Sequence, residues 1–407
     1  MTFPDAISGV TFRRNLFIPT LKDTPADAQL PSHDFMLRSG MVRQLGAGAY
    51  TKLPYGFEVA RRLEHVVAEE MWQRGAEQLH FPAVQPVSIW KTAERYESYG
   101  DDMFSFPDRH GRDTCFAPTH EIAAALLAAG DIRRYDQLPV RVYQIQIKYR
   151  DEVRPRGGVL RTREFTMHDL YSFDIDEPAS AESYRLFYEA YVDIFRRLKL
   201  PAIPVATSDT GAIGGSVSHE FLFPAVAGEA EMPEGTDAPP GVRGLELAHT
   251  FQLGTQYSER LGASVNNPAG TSVPLWMCSF GLGIERTTAA VIEHGMAELG
   301  HVVWPFEIAP YHVNILLMDV ESAGIAAGAG LGARCMDGGL RVVIDDRAVR
   351  AGVKFADSEL LGVRWEIIIG NRSPDIEIRD RLTGNKLEVH QDLVASELDR
   401  LRDAYPF

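Results

Sequence analysis

Residues 140–149 alternate with a two-residue period: Tyr143, Ile145, Ile147 and Tyr149 are aromatic or aliphatic, while Gln144, Gln146 and Lys148 between them are polar. That period predicts a strand with a buried apolar face and a polar face on which Arg150 emerges. The turn formers RPRGG follow, and residues 160–170 predict a second strand returning as a hairpin. Upstream the rhythm is helical. Phe57, Ala60, Leu63, Val67 and Met71 recur at helical spacing over residues 56–74, after Pro54, and lead into a strand-like run at 79–84. A second amphipathic helix over 182–198 precedes a short strand at 202–206. The mixed order predicts an α+β domain.

Residues 225–244 are rich in glycine, proline and acids and poor in large apolar side chains, which predicts an exposed connection. Apolar runs at 245–253 and 273–280 predict strands, the second ending in a glycine turn and a helix with Arg286 in its first turn. Beyond residue 305 the pattern changes. Buried strands at 313–318, 340–344 and 365–369 alternate with helices near 321–336 and 349–361, and a hairpin at 376–389 precedes a final helix, which predicts a separate α/β domain.

Charge changes this picture at one place. The 407 residues carry a formal net charge of -15, from 41 basic and 56 acidic residues, which argues against indiscriminate coating of nucleic acid. Yet Arg141, Lys148, Arg150, Arg154, Arg156, Arg161 and Arg163 cluster against only Asp151 and Glu152. Unpaired like charges repel, so the cluster predicts a polyanionic partner held at one focus. Guanidinium forks bind phosphate oxygens bidentately, a carboxylate accepts from an exocyclic amine, and an aromatic face stacks on a base. Arg150, Glu152, Arg161 and Phe165 supply those groups for a nucleotide. Cys115, Cys278 and Cys335 are widely separated and form neither metal-ligand spacing nor a disulfide framework, which points to a reducing cytoplasm. The longest apolar run, 122–129, is too short to span a bilayer, and no membrane role is expected.

Several fragments then coincide in order. YRDEVRPRGGVLRTREFTMHDLYSF (149–173) resembles the second signature motif of class II aminoacyl-tRNA synthetases, and GLGIERTTAAVIEHG (281–295) resembles the third. Together with FAPTHE (116–121), DTGAIGGSVSHEF (209–221), ELAHTFQLGTQYS (246–258) and DDRAVRAGVKFADSELLG (345–362), they resemble the bacterial-type prolyl-tRNA synthetases over nearly the whole chain. The resemblance implies an α+β class II catalytic domain built on an antiparallel sheet at residues 1–306, with the short linker 225–244 in place of an editing insertion. A smaller α/β anticodon-binding domain is implied at 307–407.

It also implies roles. Arg150 would hold the α-phosphate of ATP beside the proline carboxylate, Glu152 would accept from the adenine amine, and Arg161 with Thr162 would fix the outer phosphates. Phe165 and Arg286 would sandwich the adenine, making Arg150 and Arg286 the catalytic pair. Thr119 and Glu121 would receive the proline amine, although both residues also suit a helix N-terminus, and His249, Gly215 and Ser218 would line the ring pocket. Arg347, Lys354 and Phe355, with Arg350 nearby, would meet the anticodon of tRNA(Pro), or else form a solvated face. Mg2+ carried by ATP and a homodimer built through residues 56–84 are implied, with no structural zinc. Without an editing domain, a pocket sized for proline rejects alanine weakly, which predicts reliance on a separate trans-editing protein. His168 and Glu285 depart from the family's usual residues, and Glu285 either points away or pairs with a cation. The competing readings are threonyl-tRNA synthetase, which requires a Cys/His metal site, and a catalytically silent class II paralogue that binds tRNA or acts as a regulator.

Overall fold

The computed structural model describes residues 10–28, 30–207, 213–233, 236, 241–370 and 375–404. The chain forms two compact units, one of residues 44–50 and 63–290 and the other of residues 1–43, 51–62 and 291–407.

The first unit is built on a seven-stranded sheet of β1 (Glu77–Gln78), β2 (Val140–Tyr149), β3 (Glu164–Asp174), β4 (Ile203–Thr207), β5 (Val217–Ala225), β6 (Arg243–Gly254) and β7 (Trp276–Gly283), in the order β4-β5-β6-β7-β3-β2-β1. All neighbours are antiparallel except the edge strand β1, which runs parallel to β2. Helix α1 (Pro54–Gln73) precedes β1, α2 (Glu121–Asp131) precedes β2, and α3 (Glu177–Arg197) joins β3 to β4. Alternate side chains of a strand point to opposite faces, and α3 covers one of them. Phe187 meets Phe280 edge-on at 5.5 Å, and Tyr191 meets Phe221 at 5.7 Å, all four fully buried. Aromatic pairs at these distances each add about 0.5–1.5 kcal/mol to the burial of their area.

Several expected boundaries move, for local reasons. Helix α3 begins at Glu177 rather than near 182, because Asp176 accepts from the backbone N–H of Ala179 and Pro178 occupies the first turn. The run at 79–84 is not one strand. Pro82 has no N–H to pair, and β1 stops at Gln78 before a short strand resumes at Val84–Pro86. The run at 273–280 likewise divides at Pro274 and Leu275: Ser272–Pro274 pairs with Ser264–Asn266 in a hairpin of its own, and β7 starts at Trp276. No turn forms at Gly281–Gly283, which continue β7 in register with β3 and lead straight into α4 (Ile284–Leu299).

In the other unit, β8 (Val313–Leu317), β9 (Val342–Asp345) and β10 (Trp365–Ile369) are parallel neighbours in the order β9-β8-β10, and β11 (Asp375–Asp380) and β12 (Lys386–His390) extend the sheet antiparallel. The two-residue strand Thr11–Phe12 adds to β9 at the opposite edge. Helices α5 (Ser322–Asp337), α6 (Ala351–Leu360) and α7 (Val394–Ala404) complete an α/β layer. Its core joins Ile315, Ile344, Trp365 and Ile367 of the sheet to Leu331 and Leu398 of the helices, all essentially buried.

Candidate active site

The sheet face opposite α3 carries a group of polar residues beside an apolar cluster that includes Phe173, Phe251 and Met277. Register places Lys148 opposite Phe165, Gln144 opposite Asp169, Tyr171 opposite Ser279, and Gly281 between Asp169 and His249, so these residues share one face. The expected sense of burial in β2 is therefore reversed at its centre. Gln144 and Lys148 are fully buried, whereas Ile147 is exposed. A buried polar residue requires partners, and these have them: Lys148 Nζ lies 2.6 Å from Asp169 Oδ1 and donates to His120 Nδ1 at 2.8 Å, while Gln144 donates to Asp169 Oδ2 at 2.8 Å. Burial acts to raise the Asp169 pKa, but Lys148 and His120 beside it hold it below the ordinary carboxylate range. Desolvation also lowers His120 to about 4, so its ring is neutral at pH 7.

Glu121 sits just above this layer, as the first residue of α2 and 2% exposed. Its carboxylate accepts from Thr119 Oγ1 at 2.6 Å and from Ser279 Oγ at 2.8 Å, and desolvation raises its pKa above the usual glutamate value. Although it opens a helix, the side chain is engaged by Thr119 and the sheet. Ser279, which completes this pair of donors, carries no sequence signal that marks it.

Arg150 follows the last residue of β2. Its guanidinium lies over the Phe165 ring at 5.3 Å and its Nη2 makes one long contact, 3.5 Å, to the Pro118 carbonyl. Its enclosed Nε–H has no acceptor among the described residues. The loop from Arg150 to Arg163 closes through the Arg150 N–H donating to the Arg163 carbonyl at 3.0 Å, and turns through Gly157 and Gly158 at φ +65 and +63.

Part of the cationic cluster is paired within the chain. Arg161 reaches Glu152 at 2.6 Å and Glu229 at 3.1 Å, Arg156 reaches Glu229 at 2.5 Å, and Arg163 lies 3.7 Å from Asp151. Glu229 comes from the acidic connection between β5 and β6. Arg141 lies apart, donating to Ser183 and covering Phe187 on the α3 side. Desolvation works to raise Glu152, but Arg161 and the Arg154 N–H bring it below the usual range. The Thr162 hydroxyl donates to the Glu164 carbonyl at 2.8 Å.

Arg286, in the first turn of α4, donates to the carbonyls of Glu246 at 2.8 Å and Leu160 at 3.3 Å. The half-exposed Glu246 carboxylate lies 3.8 Å from Arg286 and 3.3 Å from His249. Such desolvation as it feels would raise its pKa, but His249, Arg286 and Arg150 together lower it to about 2. His249 stacks on Phe251 at 3.9 Å. Glu285 accepts from the Thr166 backbone N–H at 2.8 Å, which ties the start of α4 to β3. His168 is fully buried on the other face, bonded to Tyr191 at 3.1 Å. Gly215, at φ +118, lies so near β6 that a Cβ would come within 2.5 Å of the Gln252 carbonyl. Ser218 is buried, with its hydroxyl donating to the Thr207 carbonyl. Residues 209–212 of the DTGAIGGSVSHEF motif lie outside the described residues.

In the other unit, Arg347 is held by Asp345 at 2.6 Å and Asp357 at 2.7 Å, and the buried Lys354 amine donates to the carbonyls of Leu317 and Asp345. Arg379 lies over the Phe355 ring at 4.8 Å. Among the described residues, no group of three or more His, Cys, Asp and Glu side chains could hold a metal ion.

This arrangement has known counterparts. Residues 104–295 match the tRNA synthetase class II core domain (G, H, P, S and T), and residues 328–401 match the anticodon binding domain. The proline--tRNA ligase of Rhizorhabdus wittichii is 38% identical over 422 residues, covering 92% of this chain and 96% of that protein. The chain belongs to the prolyl-tRNA synthetase family. The proline--tRNA ligase of Caulobacter vibrioides, another family member, is 38% identical and covers 95% of this chain and 97% of its own. In three dimensions, the prolyl-tRNA synthetase of Cryptosporidium parvum, solved with halofuginone and AMPPNP, superposes with a TM-score of 0.81 at 19% identity, over 95% of this chain and 79% of that one. The Giardia lamblia prolyl-tRNA synthetase, solved with prolyl-adenylate, gives 0.77 at 22% identity, over 89% and 75%. At such identities the likeness establishes the class II synthetase fold, a catalytic sheet followed by an α/β anticodon-binding region.

Proposed function

We infer that this chain activates L-proline with ATP and transfers the prolyl group to the 3' end of tRNA(Pro). End-to-end similarity to proline--tRNA ligases carries this reading, and the site chemistry supports it. In the first step a proline carboxylate oxygen would bond to the α-phosphorus as the bond to pyrophosphate breaks. In the second, a ribose hydroxyl of the terminal adenosine would attack the acyl carbon and release AMP. Negative charge builds on phosphate oxygens in the first step, and Arg150, with its unsatisfied Nε–H and loose Nη2, is a preorganised donor for it. Arg161, half-exposed and held by the carboxylates of Glu152 and Glu229, would take the outer phosphates, and Thr162 would brace the loop. Phe165 and Arg286 would enclose the adenine, and Glu152 would accept from its amine.

The ring nitrogen of proline is cationic, and Glu121 with Thr119 would receive it. His249 would close the ring pocket, while Gly215 and Ser218 shape the backbone beside it. Mg2+ would arrive bound to ATP. It favours oxygen donors, and the ionised, half-exposed Glu246 fits that need. In the anticodon-binding region we propose that Phe355 offers the stacking surface, and that Arg347 and Lys354, engaged internally, hold the turn that presents it.

We further propose a homodimer, with Trp72, 74% exposed on α1, at the subunit face. No described helix is long and apolar enough to cross a membrane. Three buried free cysteines suit a reducing compartment, and we assign the enzyme to the cytoplasm. Catalytic silence finds no support in a chain that keeps Arg150, Arg161 and Arg286. ATP–pyrophosphate exchange run with each of the twenty amino acids tests the assignment: proline should drive exchange most strongly, with alanine a weaker second, and exchange driven chiefly by threonine, or by none, overturns it.

A further inference from the structure

Beneath the amino-acid side of the site, five buried residues from three segments form a closed hydrogen-bonded unit. Asp169 forms an ion pair with Lys148 through Oδ1, and its Oδ2 accepts from Gln144 and, at 2.7 Å, from the Tyr171 hydroxyl. That hydroxyl accepts the backbone N–H of His120 at 3.0 Å, and His120 Nδ1 accepts from Lys148. With Nδ1 acting as acceptor, the ring proton belongs on Nε2, which faces the Pro82 carbonyl at 3.3 Å. Gln144 extends the unit by accepting the Phe81 N–H at 3.0 Å. His120, Gln144 and Lys148 are fully buried, and Asp169 is 2% exposed.

Two aspects of this unit exceed what packing requires. First, His120 occupies the N-cap position of α2 but makes no side-chain cap bond; its ring is turned down to Lys148 and Pro82 instead. Both its backbone and its side chain are thus tied to the sheet, immediately before Glu121. Second, the Lys148 ammonium acts on two buried carboxylates, Asp169 by direct contact and Glu121 through space. Truncating Lys148 would leave Asp169 a buried carboxylate without its counter-ion.

We propose that Lys148, with Asp169 and His120, is a positioning unit for the amino-acid substrate, setting the height of residues 118–121 over the sheet and so the place of the Glu121 carboxylate that receives the cationic amine. This rests on the assignment of proline to Glu121. The unit touches neither substrate. It supports the segment that carries Glu121, so its larger effect falls on proline affinity rather than on nucleotide affinity.

The test is pyrophosphate exchange on full-length variants whose folding is checked by circular dichroism and thermal melting. Lys148→Met should raise the KM for proline by about tenfold or more while the KM for ATP stays within about twofold. Because a lone buried Asp169 could unfold the chain, the double variant Lys148→Met/Asp169→Leu removes both charges together. Folded, it should keep the raised proline KM. Tyr171→Phe, which takes away only the hydroxyl on the His120 N–H, should shift the same parameter in the same direction. A folded double variant with a proline KM within about twofold of the parent shows that the charges serve stability alone and overturns the proposal, as does an equal rise in both KM values. Glu121→Gln separates the two levels: if that variant binds proline normally, the site assignment itself is wrong, whereas if it fails and the Lys148 variants do not, only the positioning unit falls.

Discussion

A carboxylate that is both buried and required to be charged, as proposed for Glu121, carries a cost that can be measured. Desolvation raises its pKa, so the folded protein holds its proton more tightly than the unfolded chain. The sign follows directly: relative to the protonated form, stability is lost as pH rises through the folded-state pKa. At neutral pH the ionised Glu121 works against folding, and Glu121→Gln should melt at a higher temperature than the parent while losing proline activation. In the parent, kcat/KM for proline should fall with acidification at a pH above about 4.3, the usual glutamate value. Calorimetry of the variant and the pH profile of exchange check the two halves. A variant that melts lower, or a profile flat down to pH 4, contradicts this account. Sequence motifs identified Glu121, but its donor Ser279 is separated from it by 158 positions, and only strand register brings the two together.

At the level of elements, residues 229 and 230 of the connection between β5 and β6 are held by the end of the sheet, which their composition does not suggest. Ala230 bridges to Gly244, the Glu229 N–H donates to the Gly244 carbonyl at 2.9 Å, and the Glu229 carboxylate thereby rests on Arg156 and Arg161. If Arg161 holds the outer phosphates, ATP must displace a carboxylate that occupies the same guanidinium. Exposed ion pairs are worth about 0.2–1 kcal/mol, so Glu229→Gln should lower the KM for ATP by no more than about fivefold. Screening should erase the difference at high salt. Exchange measured at low and high ionic strength decides it, and an increased ATP KM at low salt is the contrary result. The hairpin β2–β3 teaches a related lesson. Its period was readable, and so was the strand pair, but the alternation gave the wrong face to solvent because Gln144 and Lys148 find partners on β3 and ahead of α2 that no local pattern reveals.

For the whole molecule, the 17 positions between β5 and β6 leave no space for an inserted domain. A pocket shaped for proline gains only about 1–3 kcal/mol against a smaller aliphatic amino acid. Purified enzyme mixed with alanyl-tRNA(Pro) should therefore leave the ester to decay at its spontaneous rate, and a separate deacylase would be needed in the cell. Rapid hydrolysis by the enzyme alone would show an editing site elsewhere in the chain.

The sequence by itself determined the family, the α+β class of the catalytic region, the separate α/β region, and the cations and carboxylates of the motifs, because each of these is written in local period or in contiguous residues. Tertiary structure decided what those groups are bonded to. Lys148 became a buried counter-ion, Glu229 arrived from 73 residues beyond Arg156 and 68 beyond Arg161 to neutralise both, Lys354 was enclosed among carbonyls, and Arg150 was left short of acceptors. Such outcomes depend on strand register and on which face of a sheet is covered, and those are set by long-range packing that no window of neighbouring residues contains.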